Sequence, residues 1–427
     1  MKQVTAILLG AGQRGADVYA DYALQYPNEL KIVAVAEPRR DRREAFAALH
    51  RIPTENVAES WEPLLARPKF ADCVLVSTQD RMHFLPVMEA LERGYDVLCE
   101  KPMSGDQREL LAMEQKAKET GRILSICHTL RYSPFFLKLK ELLDGGAIGQ
   151  LIAIQHMESV GYWHMAHSFV RGNWRREDET SPMILQKCCH DLDLLSWLVG
   201  SPLRTVSSFG GLSHFRKEHK PEGSPAFCLD GCPRRDSCPY YAPRFYLEHP
   251  KAVEDGFTQV VSLDTSRAGL LKALEKGPYG RCVYDCDNTV VDHQVVNLLY
   301  ENGVTASLTM SAFTERCERT IVLMGSRGQI LGNMEESRLE LRAFATGTVT
   351  QIHVHTPVGR HSGSDTVMMR EFLSLLTSGG NLSRSSAAAS VESHLAALAA
   401  EESRLQNGKP VLMNGYPQAT LQQNVPE

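Results

Sequence analysis

Short apolar runs alternate with longer amphipathic stretches over residues 1–127. Val4–Leu9 is an apolar run ending in glycine, and a helical stretch follows from about Arg14 to Gln25. Leu30–Ala36, Ala71–Ser77, Asp96–Cys99 and Ile123–Cys127 are further apolar runs. Pro38–Leu49, Arg81–Arg93 and Gln107–Thr120 carry the spacing of helices. Short strands separated by longer helices predict βαβ units and a parallel sheet.

The pattern changes after His128. Phe135–Asp144 reads as a helix stopped by Gly145-Gly146. Longer strands follow at Leu151–Val160, Val206–Leu212, Thr305–Ala312, Arg319–Met324 and Leu339–Phe344, with one helix, His190–Val199, among them. Such strands, joined by irregular segments, predict a large, mostly antiparallel open sheet with helices on one face. The tail turns helical at Thr366–Thr377 and Ala387–Gln406. The expected organisation is an α/β domain over residues 1–127, then an α+β domain over 128–427 whose last helices pack back on the first.

Composition excludes several classes. Of 427 residues, 43% are apolar and 23% charged, as in ordinary globular proteins, and the net charge is −5. That balance leaves no electrostatic footprint for nucleic acid. No apolar stretch reaches the ~20 residues of a membrane span. Met1-Lys2-Gln3 before Val4–Leu9 looks superficially like an export signal, but the run is short and ends in a glycine motif, so it reads as a first strand. The 11 cysteines are odd in number and mostly scattered, which points to reduced thiols in the cytoplasm.

Gly10-Ala11-Gly12-Gln13-Arg14-Gly15 is a GxGxxG motif between a strand and a helix of the first βαβ unit. There Gly12 lets the backbone approach a pyrophosphate, and the helix N-terminus offers N–H groups and positive dipole. Glu37 ends the second strand, 22 residues beyond Gly15. A carboxylate there accepts both ribose hydroxyls and repels a 2′-phosphate, favouring NAD over NADP. Arg39 and Arg40 pull the other way, because arginines just beyond the strand can hold that phosphate.

Ser77-Thr78-Gln79-Asp80 with His83, and then Ala90, Gly94 and Val97-Leu98-Cys99-Glu100-Lys101-Pro102, resemble the Gfo/Idh/MocA oxidoreductase family. His128–Tyr132, Gly149-Gln150-Leu151 and Met324–Gly328 fit it as well, so the resemblance covers nearly the whole chain. It implies a Rossmann domain, an open C-terminal sheet that often mediates homo-oligomers, and hydride transfer at a sugar or polyol carbon. The coenzyme site it implies comprises Gly10, Gly12, Gln13, Arg14, Gly15, Glu37, Arg39, Thr78, Asp80, His83, Glu100 and Lys101. In this family the EKP lysine, here Lys101, contacts the reacting hydroxyl, and a cation there stabilises developing alkoxide. The family's DxxxH motif supplies a histidine as general acid or base. His190 matches that histidine, and Gln186 stands at the acidic position. A histidine near its reference pKa suits proton transfer at neutral pH. With an amide at 186, Asp191 or Asp193 is left to orient it.

Gly161–Arg175 packs Tyr162, His164, His167, Arg171 and Trp174 into a loop after a strand. Aromatic faces and planar hydrogen-bonding groups hold sugars, so these residues are candidate substrate contacts, together with Lys187 and His293. The structural alternative is that the tryptophans only anchor a long loop. Cys228, Cys232 and Cys238 fall within 11 residues, with Cys282 or Cys286 downstream as a fourth ligand. Thiolates so spaced bind zinc or hold an iron–sulfur cluster. Asp230–Tyr246 has little apolar content, so a structural metal, zinc before iron–sulfur, is expected to stabilise it. Free thiols, or a disulfide under oxidation, are the alternative.

The expected activity is NAD-dependent oxidation of a ring hydroxyl on a sugar, polyol or glycoside. An NAD-dependent glycosidase, working by transient oxidation, elimination, hydration and re-reduction, is the second reading; Tyr162, His164 and His167 could serve its extra acid–base step. A non-catalytic NAD sensor is the third, and the joint presence of Lys101 and His190 argues against it.

Overall fold

The computed structural model describes residues 2–355, 363–380 and 383–416. The apolar runs of the first domain become β1 (Val4–Leu9), β2 (Leu30–Ala36), β3 (Val57–Ala58), β4 (Cys73–Val76), β5 (Asp96–Cys99) and β6 (Leu124–Ile126). They form one parallel sheet in the order β3-β2-β1-β4-β5-β6. Only β3 escaped the sequence, because two residues show no period. The sheet is covered on both faces, as its continuous apolar strands require. Ala6, Leu8 and Leu75 pack with Tyr19, Phe46 and Phe372 on one side. Ile7, Val74 and Val97 pack with Leu91, Leu110 and Val391 on the other. Phe372 lies in the helix Ser364–Ser378 and Val391 in the helix Ala387–Leu405, so the end of the chain completes the first domain's core.

The second sheet comprises β7 (Leu151–Ser159), β8 (Leu203–Gly211), β9 (His293–Tyr300), β10 (Thr305–Ser311), β11 (Glu318–Gly325), β12 (Gly328–Asn333), β13 (Arg338–Ala343), β14 (Val349–His353) and β15 (Val411–Leu412). Their order is β14-β13-β12-β11-β7-β10-β9-β8-β15. The pairing of β7 with β10 is parallel; the others are antiparallel. Its inner face carries Ile154, Val296, Leu298 and Leu308 against the helix Cys189–Val199. Among the described residues no helix is long and apolar enough to cross a membrane.

Residues 212–292 leave this sheet between β8 and β9 as an insert, with helices Ala242–Glu248, Pro250–Glu254, Phe257–Val261 and Arg267–Lys276. The insert corrects the metal expectation. Among the described residues no group of three or more His, Cys, Asp or Glu could hold a metal ion. The zinc or iron–sulfur site expected at Cys228, Cys232, Cys238 and Cys282, with Cys286 as alternative, is therefore not supported. The first four do line one cavity of about 20 Å³, but they share it with Arg171, Tyr240 and Tyr241. Burial pushes the Cys238 and Cys282 thiols upward. What folds the insert is aromatic: Phe245, Tyr246, Phe257 and Tyr279 close on Trp163. Those aromatics lie partly outside Asp230–Tyr246, which made that stretch look poorer in core residues than it is.

Candidate active site

Gly10 and Gly15 are required by the chain's own packing. Gly10 has φ +90°, and a Cβ there would stand 2.5 Å from Ser77 O; one on Gly15 would stand 2.1 Å from Gly10 O. A Cβ on Gly12 would meet nothing nearer than Arg42 Nη1 at 3.9 Å. The space over Gly12 is thus left open by the protein's own atoms, as a dinucleotide's pyrophosphate needs. Beside it, buried Glu37 accepts from the Ala11 N–H at 2.8 Å and the Arg39 N–H at 3.0 Å. The Arg39 side chain pairs with Asp41 and that of Arg40 with Glu44, both at the surface. Neither pairs with the Glu37 carboxylate, and the arrangement fits NAD.

Glu100 brackets this cradle to the reaction end. Arg14 Nε lies 2.7 Å from Glu100 Oε1, and Arg14 Nη2 lies 2.7 Å from Asp365 Oδ1. Tyr19 OH and the Lys101 N–H also donate to Glu100. Burial pushes the Glu100 carboxyl up, but Arg14 and Lys101 outweigh it and hold it below the usual range. The other expected coenzyme contacts brace loops. His83 places its ring nitrogens 2.8 Å from Pro102 O and 3.0 Å from Thr78 O. Thr78 Oγ1 donates to Met82 O. Asp80 accepts from Trp174 Nε1 and Ser181 Oγ, each at 3.3 Å.

Lys101 follows β5 at the carboxyl end of the parallel sheet, where α/β folds place ligands. Its Nζ donates to the backbone carbonyl of Gln186 at 2.8 Å. Gln186 ends the helix Met183–Gln186, and His190 lies in the first turn of the next helix, Cys189–Val199. The lysine of one domain is thereby hooked to the segment that carries the histidine of the other. The Gln186 side chain turns away, donating to Thr180 Oγ1 at 2.6 Å and to Ser181 O. The two aspartates expected to orient His190 are engaged elsewhere. Asp191 lies 2.7 Å from His156 Nε2 and 2.8 Å from Arg319 Nε. Asp193 holds Arg131 at 2.6 and 2.8 Å. His190 meets the His128 ring edge-on, with centroids 5.5 Å apart. Burial, with Arg131 and Lys101, pushes the His128 imidazole well below its ordinary range, so it stays neutral.

An ionic row behind the site was missed from the sequence. Glu158, 1% exposed in β7, pairs with Lys187 Nζ at 3.1 Å and Arg319 Nη2 at 2.9 Å. Arg319 continues the row to Asp191, and Asp191 to His156. The signal was the strand's phase. His156 and Glu158 fall in the same phase as the core residue Ile154 and share its inward face, and charged groups at core positions need partners.

His164 faces this row. It lies 3.6 Å from Cys317 Sγ, and burial pushes its imidazole well below the ordinary range, with Lys187, His167 and Lys101 adding to the effect. Tyr162 packs against Tyr240, with ring centroids 6.1 Å apart. Three other expected substrate contacts are spent elsewhere. His167 is bonded to Tyr246 OH at 2.7 Å and stacked on Phe257 and Tyr279. Arg171 donates to Arg281 O and Tyr240 O, both at 2.7 Å. His293 projects from the sheet's outer face, opposite the helix of His190, beside Asp292. The physical reason for the first two is winding. The expected loop is helical over Tyr162–His164 and continues as a wide helical turn over Met165–Arg171, which turns 167 and 171 together into the insert.

Residues 4–128 match the oxidoreductase family's NAD-binding Rossmann fold, and residues 140–412 match its C-terminal alpha/beta domain; the chain belongs to the Gfo/Idh/MocA family of enzymes. It is 26% identical over 357 residues to YteT of Bacillus subtilis, a candidate oxidoreductase, covering 79% of this chain and 80% of YteT. It is 30% identical over 237 residues to the inositol 2-dehydrogenase of Streptomyces avermitilis, covering 54% of this chain and 63% of that protein. Against the 2,7-anhydro-N-acetylneuraminate hydratase of Escherichia coli it is 28% identical over 215 residues, covering 48% and 53%. The chain therefore spans less than two thirds of the length of these last two relatives. Levoglucosan dehydrogenase, solved with NADH and levoglucosan, shares the fold with a TM-score of 0.69 at 16% identity, over 96% of this chain and 99% of that one.

Proposed function

We propose that this chain is an NAD-dependent enzyme that moves a hydride between the nicotinamide and a hydroxyl-bearing ring carbon of a sugar, polyol or glycoside. The observation that carries the reading is the 2.8 Å bond from Lys101 Nζ to Gln186 O, which joins the EKP lysine to the segment of His190. Bound NAD supplies the hydride acceptor. Lys101, fixed on one side by that carbonyl, turns its remaining N–H groups to the substrate oxygen and stabilises the forming alkoxide. His190 takes the hydroxyl proton. Lys187, anchored by Glu158, and His164 wall the substrate side. The names of the inositol and levoglucosan dehydrogenases support a sugar or polyol substrate.

Glu37 supports NAD over NADP. Wild-type protein should bind NAD more tightly in direct titration, and Glu37→Ala should narrow the difference; a wild-type preference for NADP would overturn it. The NAD-dependent glycosidase is the second reading, favoured by His164 beside Cys317 and by the hydratase among the relatives. With His167 buried in the insert, its extra acid–base role falls to His164 or Tyr162. Hydrolysis of an aryl glycoside without net NADH separates the two. The cytoplasm fits the 11 unbridged cysteines. A second copy of the chain fits the outer sheet face, which exposes Phe209, Val295 and Leu412.

A further inference from the structure

We propose that the substrate is an acidic sugar whose carboxylate docks on Lys187, beside Arg319, while its reacting hydroxyl meets Lys101 and His190. The proposal rests on the hydride-transfer reading above and names the substrate class of that same site. It starts from the order of charges in the ionic row. The acids Glu158 and Asp191 are 1% and 0% exposed, whereas the side chains of Lys187 and Arg319 keep 17% and 12% of their surface. The acids are thus shut behind the bases, and the accessible face of the row is cationic.

The buried acids also fix where the cations stand. Glu158 holds Lys187 Nζ at 3.1 Å and Arg319 Nη2 at 2.9 Å, and Asp191 holds Arg319 Nε at 2.8 Å. An ammonium carries three donors, so its bond to Glu158 leaves it others for a ligand. Glu158 is in this sense a positioning residue for Lys187.

The accessible face looks into the substrate space. Lys187 follows Gln186, whose carbonyl holds Lys101 Nζ at 2.8 Å, so the two lysines flank one turn of chain. His164 feels both of them. Burial first, then Lys187, His167 and Lys101, keep its imidazole from taking a proton. One ring acted on by both lysines puts them around a single space, with Lys101 toward the reacting hydroxyl and Lys187 on the far side.

A monoanion suits this pattern. The acids behind nearly balance the bases in front, so the row offers an oriented cationic face rather than a large surplus of charge. A carboxylate brings one charge, which an ammonium meets with charge-assisted hydrogen bonds. The dianion of a phosphate ester would bring a second charge with nothing to offset it. In a sugar acid the carboxylate and the oxidised hydroxyl stand at different corners of one molecule, as the two lysines require.

The test reads binding and hydride transfer separately. NAD-loaded wild type is titrated calorimetrically with D-glucuronate, D-galacturonate, their methyl esters, D-glucose, D-galactose and glucose 6-phosphate, and NADH is followed by absorbance. At least one uronate should bind about 10- to 150-fold tighter than its own methyl ester and parent sugar, the scale of a hydrogen bond to a charged group. Lys187→Arg keeps the cation and should keep most of that ratio. Lys187→Met alone would strand Glu158, so it is combined with Glu158→Gln, which removes both charges. That double variant, shown to be folded by its melting curve and by NAD binding, should bring the ratio near one. Wild type that binds neither uronate, or binds uronate and ester equally, overturns the proposal. So does tighter binding of glucose 6-phosphate, or an unchanged ratio in the double variant. Uronates bound in preference with no NADH formed would leave the carboxylate dock standing and sink the hydride-transfer reading. Neutral sugars that bind as tightly as uronates and reduce NAD as readily would do the reverse.

Discussion

Two glycines of the motif, Gly12 and Gly15, should respond differently to the same methyl group. At Gly12 the added Cβ has only the tip of Arg42 at 3.9 Å, and no positive φ opposes it. Gly12→Ala should therefore keep stability within about 0.5 kcal/mol, or raise it by up to ~1 kcal/mol by restricting the unfolded chain. Its cost should fall on binding. Overpacking costs about 1–3 kcal/mol, so NAD affinity should drop roughly 5- to 150-fold. At Gly15 the Cβ would stand 2.1 Å from Gly10 O, a backbone atom that cannot swing aside. Gly15→Ala should cost on the order of 3 kcal/mol or more and lower the melting temperature by about 3 °C or more. Thermal unfolding with and without NAD, combined with calorimetric titration, separates the effects. Gly12→Ala melting as low as Gly15→Ala, or binding NAD like wild type, would refute the claim that the space over Gly12 is a ligand's.

Glu158→Gln should leave Lys187 and Arg319 facing an amide, destabilising the protein by about 3–5 kcal/mol, as loss of one partner in a buried pair does. Unchanged denaturant unfolding would contradict that. Burial, with Glu401 adding to it, raises the Glu177 carboxyl to about 7. Its folded pKa thus exceeds the ~4.3 of free glutamate, so its contribution to stability is complete below that pH and lost as pH rises through about 7. Glu177→Gln should melt above wild type at about pH 8.5 and level with it at about pH 4; an equal difference at both would count against the assignment.

The first domain was legible because its strands are buried on both faces and read as unbroken apolar runs, punctuated by glycines. The second sheet was half legible. β12 and β14 carry mixed polar sequences, and β15 is only two residues long. At the site, Lys101 and His190 are candidates read from motifs, and the structure engages the two aspartates expected beside His190 with other groups. Asp191 and Asp193 lie near it in sequence, but helical geometry sends them to Arg319 and Arg131. Gln186 matters through its backbone carbonyl, which no side-chain pattern reveals. His167 and Arg171 read as substrate contacts because a local stretch cannot show that a distant insert buries them. The cysteines shared one cavity as their spacing suggested, without the arrangement a metal needs.

The central claim is that Lys101 and His190 act together on one hydroxyl. The direct test is single-turnover reduction of enzyme-bound NAD by a panel of sugars, polyols and glycosides, followed in wild type, Lys101→Ala and His190→Ala. The account predicts that at least one of these reduces the bound nicotinamide, and that each variant slows the step by about two to four powers of ten while still binding NAD. His190→Ala reacting near the wild-type rate on a true substrate would place the base elsewhere and contradict the account.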